Sequence, residues 1–260
     1  MAHDDRTMPL LGHLEELRAR LMKALLAITL AFFPTYFYAG VLFDFLIQPL
    51  QQTGVDPVSL IGTGPAEAFF TKLKVSFIAS LFLSSPVLFY QVWQFVAPGL
   101  YEQERRYVLP FVFFATFFFL AGAWFCHALV LPVSYAFFLE QYESIQVQAT
   151  LRISEYLTFT ARMLLAFGVT FELPVFAFFF ARIGLITHKA LLGFFRYAVV
   201  LIFVAAAMLT PSPDVASQVL LAGPLIALFG LSIGVAYVFG KPRLDQTGET
   251  AEGREEAEEG

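Results

Sequence analysis

The chain has 260 residues, of which 58% are hydrophobic and only 14% are charged, and its mean hydropathy is +0.70. Soluble domains carry roughly 25% charged residues, and the 32 phenylalanines exceed what the single core of a soluble protein can bury. These values exclude an ordinary soluble globule and predict a protein surrounded by lipid. The net charge of −5 belongs to the end of the chain, because residues 245–260 hold seven acids and one base.

Charge-free stretches predict an all-α membrane protein with six transmembrane helices. About 20 residues at ~1.5 Å each cross the hydrocarbon core. The predicted spans are 24–43, 75–97, 108–131, 163–181, 193–210 and 215–238. Residues 1–240 are therefore predicted to be a single membrane domain, and residues 241–260 an acidic, disordered cytoplasmic tail.

Two of these spans have ends that the sequence defines poorly. A loop is expected to open at Pro132, after the third span. The fifth span offers only the 14 apolar residues Tyr197–Thr210 before Pro211, which reach ~21 Å. It is therefore expected to be short, with local thinning of the bilayer, unless the helix begins near Ala190.

The distribution of basic residues predicts the orientation of the chain. Six spans place both termini on one side of the membrane, and the segments on that side carry 12 Lys and Arg residues against four on the other. The positive-inside rule therefore predicts that both termini are cytoplasmic, in a multi-pass protein of the cytoplasmic (inner) membrane.

Near the start of the sequence, four leucines recur with helical spacing, at Leu10, Leu14, Leu17 and Leu21. This stripe predicts an interfacial amphipathic helix over Pro9–Met22. The alternative is a solvated helix face on which Glu16 and Arg20 form an i, i+4 ion pair.

The second predicted cytoplasmic segment, after Pro98-Gly99, places Glu102 and Glu104 beside Arg105 and Arg106. These acids either neutralise their own arginines or bind a partner. The predicted topology puts the segment on the same face as the helix that carries Glu16. Carboxylates there could accept forked, bidentate hydrogen bonds from the guanidinium groups of a partner.

Glu172 lies ten residues from both Arg162 and Arg182, and hence near the middle of the predicted fourth span. A carboxyl at that depth is costly, so it indicates either a function or an internal hydrogen bond between helices. One functional alternative is a proton-coupled permease that uses Glu172 as its carrier. Prolines at positions 34, 86, 174 and 224 predict kinked helices that form a concave wall.

Enzyme signatures are weak. Gly230–Gly234 reads G-x-S-x-G, which leaves open an intramembrane serine protease using Ser232 and His127. The motif lies in an apolar helix rather than a strand–turn–helix elbow, so a packing face of small residues at Gly230 and Gly234 is favoured. The sequence contains no P-loop, HExxH or dinucleotide fingerprint, and no enzyme activity, metal or cofactor is expected.

Four segments taken together resemble the TatC family, the core and receptor subunit of the twin-arginine protein translocase. They are His13–Arg18 (HLEELR), Gln91–Arg106 (QVWQFVAPGLYEQERR), Phe171–Pro174 (FELP) and Thr210–Gln218 (TPSPDVASQ). They occur in the family's order on a six-span pattern, and their combination is highly specific.

The resemblance implies a receptor that binds twin-arginine signal peptides and exports folded proteins, driven by the proton-motive force. It implies that Glu16 and Glu104 bind the paired arginines, with Arg18, Phe95 and Arg105 shaping that site. It also implies that Glu172 faces the concavity of the helical wall.

The expected partners are signal peptides of folded cargo, TatA- and TatB-like single-span subunits, other copies of the chain and the lipid bilayer, with no nucleic acid. The resemblance implies that the single-span subunits dock near the fifth and sixth spans, where Thr210 and Gln218 supply polar contacts. Gly230 stands where relatives often carry a glutamate in the sixth span, so an acidic contribution there is absent.

Overall fold

The computed structural model describes residues 10–53, 59–96, 108–182, 184, 186–210 and 215–240. Within these ranges the chain is almost entirely helical. The helices are α1 (Leu10–Phe37), α2 (Ala39–Gln51), α3 (Glu67–Val96), α4 (Val108–Phe125), α5 (Leu131–Ser144), α6 (Ile153–Arg182), α7 (His188–Leu209) and α8 (Val215–Phe239). A π-helix, Cys126–Val130, joins α4 to α5, and strands β1 (Ser59–Ile61) and β2 (Thr150–Arg152) pair in a two-stranded sheet.

Five helical segments in the described chain are long and apolar enough to cross a membrane. The number rises to six if α1 and α2, which meet at an 85° bend, count as one broken span. The predicted all-α class with six transmembrane helices is therefore confirmed. The predicted cytoplasmic position of the termini, the single domain over residues 1–240 and the disordered tail stay predictions, and residues 241–260 lie outside the described residues.

The first helix differs from the prediction in its continuity. The interfacial segment Pro9–Met22 and the span 24–43 were expected to be separate, whereas α1 runs without a break over 28 residues. Nothing after Gly12 interrupts it, since Lys23 and Ala24 are strong helix formers. At about 42 Å, α1 is longer than a bilayer core. The bend follows Pro34, which cannot donate a backbone hydrogen bond.

The third predicted span is also longer than expected. No loop opens at Pro132, because α4, the π-helix and α5 form one helical segment of 37 residues, Val108–Ser144. The N–H of Leu131 donates to the carbonyl of Cys126, five residues back. Pro132 follows within the first two positions of α5, where a missing N–H is tolerated. The wider π turn lets the chain accept a proline and continue.

The fifth span is not short. α7 has 22 residues, which corresponds to about 33 Å, because it begins at His188 rather than at residue 193. Thr187 caps its first turn by accepting a hydrogen bond from the backbone N–H of Ala190 at 3.3 Å. The helix length therefore removes the reason for expecting a thinned bilayer.

The described residues divide into two compact units. The first lies within Met1–Gln48, Leu60–Phe117 and Arg152–Leu157, and the second within Pro49–Ser59, Phe118–Leu151 and Thr158–Gly260.

In the first unit, α1 packs along α3 through buried hydroxyl side chains. Thr35 donates to the carbonyl of Ser76 at 3.0 Å, and the Ser76 hydroxyl donates to the carbonyl of Lys72 at 2.7 Å. Ser80 and Ser84 continue this buried row along α3, and each returns its hydroxyl to a carbonyl of its own helix. Small side chains whose hydroxyl groups are already hydrogen-bonded allow the two helices to approach closely in lipid.

The start of α6, residues 153–157, is part of the first unit and is held there by two sets of hydrogen bonds. The Tyr156 hydroxyl donates to the carbonyl of Leu46 in α2 at 2.5 Å. The carboxylate of Glu67, in the first turn of α3, accepts hydrogen bonds from the backbone N–H groups of Ser154, Gly64 and Thr63. One carboxylate therefore satisfies donors at the N-terminal ends of two helices.

In the second unit, α4 and α6 touch at two glycines. A Cβ atom at Gly122 would lie 2.7 Å from the carbonyl oxygen of Phe167 and from the Cβ of Phe171. A Cβ at Gly168 would lie 2.8 Å from the ring of Phe119. Phe125 completes the contact, with its ring centroid 5.4 Å from that of Phe171.

The glycines of α8 do not play this part. A Cβ atom at Gly230 or Gly234 would meet nothing within 4 Å in the described chain. The small-residue packing face predicted at these positions is therefore not used between helices of this chain. The glycine contacts lie at Gly122 and Gly168 instead, which no motif had singled out.

Candidate functional site

Glu16 lies on α1 and is the best-defined of the predicted arginine-binding residues. Its Oε1 accepts hydrogen bonds from the Nε of Arg20, at 2.9 Å, and from the Nη2 of the same guanidinium. The i, i+4 pair that the sequence offered as an alternative is therefore present. The Oε2 atom is shielded from solvent and has no hydrogen-bond partner within the described residues.

The charged side chains around Glu16 on α1 differ in their exposure to solvent. Arg18 and Glu15 are exposed, whereas the side chains of Glu16 and Arg20 are 18% and 19% exposed. The half-buried carboxylate already holds one planar guanidinium through a forked contact. Its second oxygen would be satisfied by a further donor.

Phe95 is half-buried near the end of α3, two residues after Trp93. The Thr35–Ser76 hydrogen bond sets the register between α1 and α3. Because consecutive membrane spans run in opposite directions, equal steps from this bond lead to the same level on both helices. Glu16 is 19 residues before Thr35 and Phe95 is 19 residues after Ser76, about 28 Å along each helix. The register therefore brings Glu16 and Phe95 to one end of the helix pair.

Trp93 fixes the ends of α3 and α4 at this level. Its ring stacks on Phe111 with a centroid distance of 4.3 Å, and both side chains are buried. Sequence reasoning gave Trp93 no role, although a tryptophan inside a charged-flanked motif was a usable signal. Glu104 and Arg105 lie in residues 97–107, between these two helix ends and outside the described residues.

Glu172 lies in α6 and is 3% exposed. The backbone amide of Phe119 approaches the carboxyl, but neither oxygen has a hydrogen-bond partner of good geometry within the described residues. Both glycine contacts between α4 and α6 involve residues 167–171 of α6, which immediately precede Glu172, and they hold this part of α6 against α4. No described side chain hydrogen-bonds Glu172, so the approach of the Phe119 amide of α4 is the one observation that favours the structural alternative, a hydrogen bond between helices.

The predicted partner-docking residues differ in availability. Thr210 ends α7 and is buried, and its hydroxyl donates to the carbonyl of Ala206 at 3.1 Å. Gln218 lies in the first turn of α8 and is half-buried. Thr210 therefore has an internal partner.

The protease alternative has no support in the geometry. Ser232 is buried, and its hydroxyl donates to the carbonyl of Leu228 in its own helix rather than to a histidine. Among the described residues, no cluster of three His, Cys, Asp or Glu side chains is arranged to hold a metal ion.

Comparison with known proteins gives a consistent result. Residues 12–224 match the family model described as "Sec-independent protein translocase protein (TatC)". Curated TatC proteins of Desulforapulum autotrophicum and Helicobacter pylori are each 42% identical to this chain. The first alignment covers 97% of this chain and 93% of the relative, and the second covers 86% and 85%.

Solved structures agree with the sequence comparison. Two crystal structures of the twin-arginine translocase receptor TatC, one of them in the detergent DDM, superpose with TM-scores of 0.77 and 0.78. They are 32% and 33% identical, and the matches cover 86% of this chain and 97% and 99% of theirs. The family resemblance read from the motifs is thereby confirmed, and the chain belongs to the TatC family as a non-enzymatic, multi-pass membrane core subunit of the Sec-independent protein translocase.

Proposed function

We propose that this chain is the receptor for twin-arginine signal peptides and the core of the site that exports folded proteins across the cytoplasmic membrane. In this proposal the paired arginines bind Glu16 and Glu104, and Arg18, Phe95 and Arg105 shape the site. The observation that carries it is Glu16, whose Oε1 accepts a guanidinium fork while Oε2 lacks a partner in the described chain.

The chemistry favours arginine over lysine as the recognised residue. A guanidinium presents five donors in a rigid plane, so it can join a carboxylate that is already partly occupied, whereas an ammonium is a strongly hydrated point charge. The Glu16–Arg20 contact is an internal example of that fork. A peptide with Lys-Lys is therefore expected to bind more weakly than one with Arg-Arg.

The register between α1 and α3 supports a composite site. It sets the aromatic ring of Phe95 at the level of Glu16, and the chain that carries Glu104 and Arg105 begins immediately after α3. An apolar ring at the level of a carboxylate suits a signal peptide, in which an apolar segment follows the basic one.

A matched pair of variants tests this site. We expect Glu16→Gln to weaken binding of an Arg-Arg signal peptide to the purified chain by at least about tenfold, because hydrogen bonds to a charged group are lost. Glu15→Gln removes the same charge from the adjacent, exposed carboxylate and should change affinity much less. Equal losses in the two variants would show that only net charge matters and would refute the assignment.

We propose that TatA- and TatB-like single-span subunits dock on α7 and α8. Supporting this, α7 buries only Ala198 and Ala206 in the part of the chain that the structure describes, and Gly223, Gly230 and Gly234 form an exposed stripe with open space on α8. Small side chains allow close approach of a partner helix in lipid. We expect cysteines placed at Gly223 or Gly230 to crosslink to the spans of these subunits, and a cysteine at the buried Ala222 to give no crosslink. The reverse pattern would contradict the proposed docking face.

The energy source and the sidedness belong to the same proposal. Export is expected to depend on the proton-motive force, with both termini in the cytoplasm, several copies of the chain in the complex and Glu172 acting after the signal peptide has bound. Membrane vesicles that bind signal peptide but stop exporting when an uncoupler is added would support this scheme. Export that persists in the uncoupled vesicles would contradict it.

A further inference from the structure

Three helix ends of the second unit meet. The His188 ring, at the start of α7, lies against the Tyr237 ring near the end of α8, with centroids 5.1 Å apart. Phe178, in the last two turns of α6, contacts Phe239 at the same distance. The end of α6, the beginning of α7 and the end of α8 therefore lie together, and below we refer to them as the basic end.

The charges that the helices bring to the basic end have one sign. Arg182, Lys189 and Arg196 are all exposed. From Leu173 to Leu244 the sequence contains a single acid, Asp214, and that residue follows the opposite end of α7. This stretch of sequence therefore brings positive charge alone to the basic end.

Arg196 stands out by its position on α7. It lies eight residues after His188, about 12 Å along the helix, and two turns beyond Lys189 on the same face. Exposed apolar side chains precede and follow it, namely Leu192 and Val200. Arginine within an apolar, lipid-facing surface is costly unless its guanidinium reaches the headgroup level and meets an anion.

The guanidinium of Arg196 is held in one place. Its Cζ lies 4.8 Å from the centroid of the Tyr197 ring, and its Nη2 donates to the Tyr197 hydroxyl at 3.0 Å. The Tyr197 ring in turn lies 5.9 Å from the ring of Phe194. This support uses one of five N–H donors, so the remaining fork is oriented and available to an acceptor.

We propose that the basic end is a binding site for the headgroup of an anionic phospholipid. The phosphodiester accepts the forked hydrogen bonds of Arg196, which is the geometry that guanidinium offers to phosphate. Arg182 and Lys189 supply the further positive field that selects an anionic over a zwitterionic headgroup. Positive charge, an oriented guanidinium and a surrounding apolar helix surface together fit a lipid better than a soluble anion.

Lipid binding to the detergent-purified full chain tests the proposal. Native mass spectrometry with added phosphatidylglycerol or phosphatidylcholine should show preferential retention of phosphatidylglycerol. Arg196→Gln is expected to weaken that binding about fivefold, and Arg196→Lys, which keeps the charge without the fork, by less. The matched control is Arg152→Gln, which removes the same charge from β2, where Arg152 pairs with Glu155 at 3.7 Å.

Three outcomes would overturn the proposal. Equal retention of the two lipids by the unmodified chain would do so without any variant. An equal loss of phosphatidylglycerol binding in Arg152→Gln and Arg196→Gln would mean that net charge alone attracts the lipid. If phosphatidylglycerol binds only after residues 245–260 are removed, the acidic tail is the occupant of the basic end in the intact chain.

Discussion

Replacing Gly122 with alanine perturbs the contact between α4 and α6 that holds the segment carrying Glu172. The added Cβ would lie 2.7 Å from the carbonyl oxygen of Phe167 and from the Cβ of Phe171. Non-bonded carbon atoms need about 3.5–4.0 Å, so the two helices must separate locally by about 1 Å. Overpacking of this kind costs about 1–3 kcal/mol of the free energy of unfolding.

A glycine on α8 provides the control for this substitution. A Cβ added at Gly230 would have no heavy atom within 4 Å, so Gly230→Ala meets no obstacle and gains helix propensity worth up to about 1 kcal/mol. Denaturant unfolding in detergent micelles should therefore show Gly122→Ala to be less stable than the unmodified chain and Gly230→Ala to be equally or more stable. Equal free energies of unfolding in the two variants would refute the idea that close approach limits the packing of α4 on α6.

Other substitutions test the residues around the proposed sites. Arg20→Gln should raise the affinity for an Arg-Arg signal peptide about twofold, since an i, i+4 pair is worth about 0.3–0.5 kcal/mol. The control is Lys23→Gln, which removes an equal charge one turn away. Lower affinity in Arg20→Gln alone would contradict competition between Arg20 and the peptide for Glu16. Trp93→Ala should reduce the free energy of unfolding by about 3 kcal/mol or more and weaken signal-peptide binding. The control is Val92→Ala, which changes an exposed side chain and should have neither effect. Unchanged stability in Trp93→Ala would mean that the stacking of Trp93 on Phe111 is dispensable. Glu172→Leu should leave stability unchanged or raise it by about 1–3 kcal/mol, because two buried oxygens without partners disappear, and should abolish export; normal export would leave Glu172 without a functional role.

The number and type of elements could be predicted because lipid imposes a strong constraint on composition. A charge-free run of about 20 residues has few alternatives to a transmembrane helix. The ends of helices are set by weaker effects. α7 begins at His188 because Thr187 caps it, and a basic residue such as Arg196 does not end a helix that can carry it at the headgroup level.

Prolines misled the prediction in one place and not in another. Pro34 precedes the 85° bend between α1 and α2, as an interior proline should. Pro132 was expected to open a loop, but the π-helix before it supplies a wider turn and the helix continues. The two cases differ in the backbone hydrogen-bond pattern of the preceding turn, which the residue sequence alone does not reveal.

Residues of the candidate site could be proposed from the sequence, whereas their contacts could not. Helical spacing was enough to pair Glu16 with Arg20. The level of Phe95 relative to Glu16 depends on the register of α1 on α3, which the Thr35–Ser76 hydrogen bond sets across 41 positions of sequence. Long-range register of this kind cannot be read from local periodicity, and neither could the choice of Gly122 over Gly230 as the packing glycine.

Few side chains of α7 are buried, and this affects what stability measurements on this protein can detect. Among the described residues, α7 has only Ala198 and Ala206 buried, while Leu201, Val204 and Met208 are exposed. Changes at these exposed positions leave intramolecular packing almost untouched, so the melting temperature of the isolated subunit should barely respond to them. A ranking of variants by melting temperature would therefore score much of α7 as neutral, and a ranking by growth under conditions that require export would expose whatever this helix contributes to assembly.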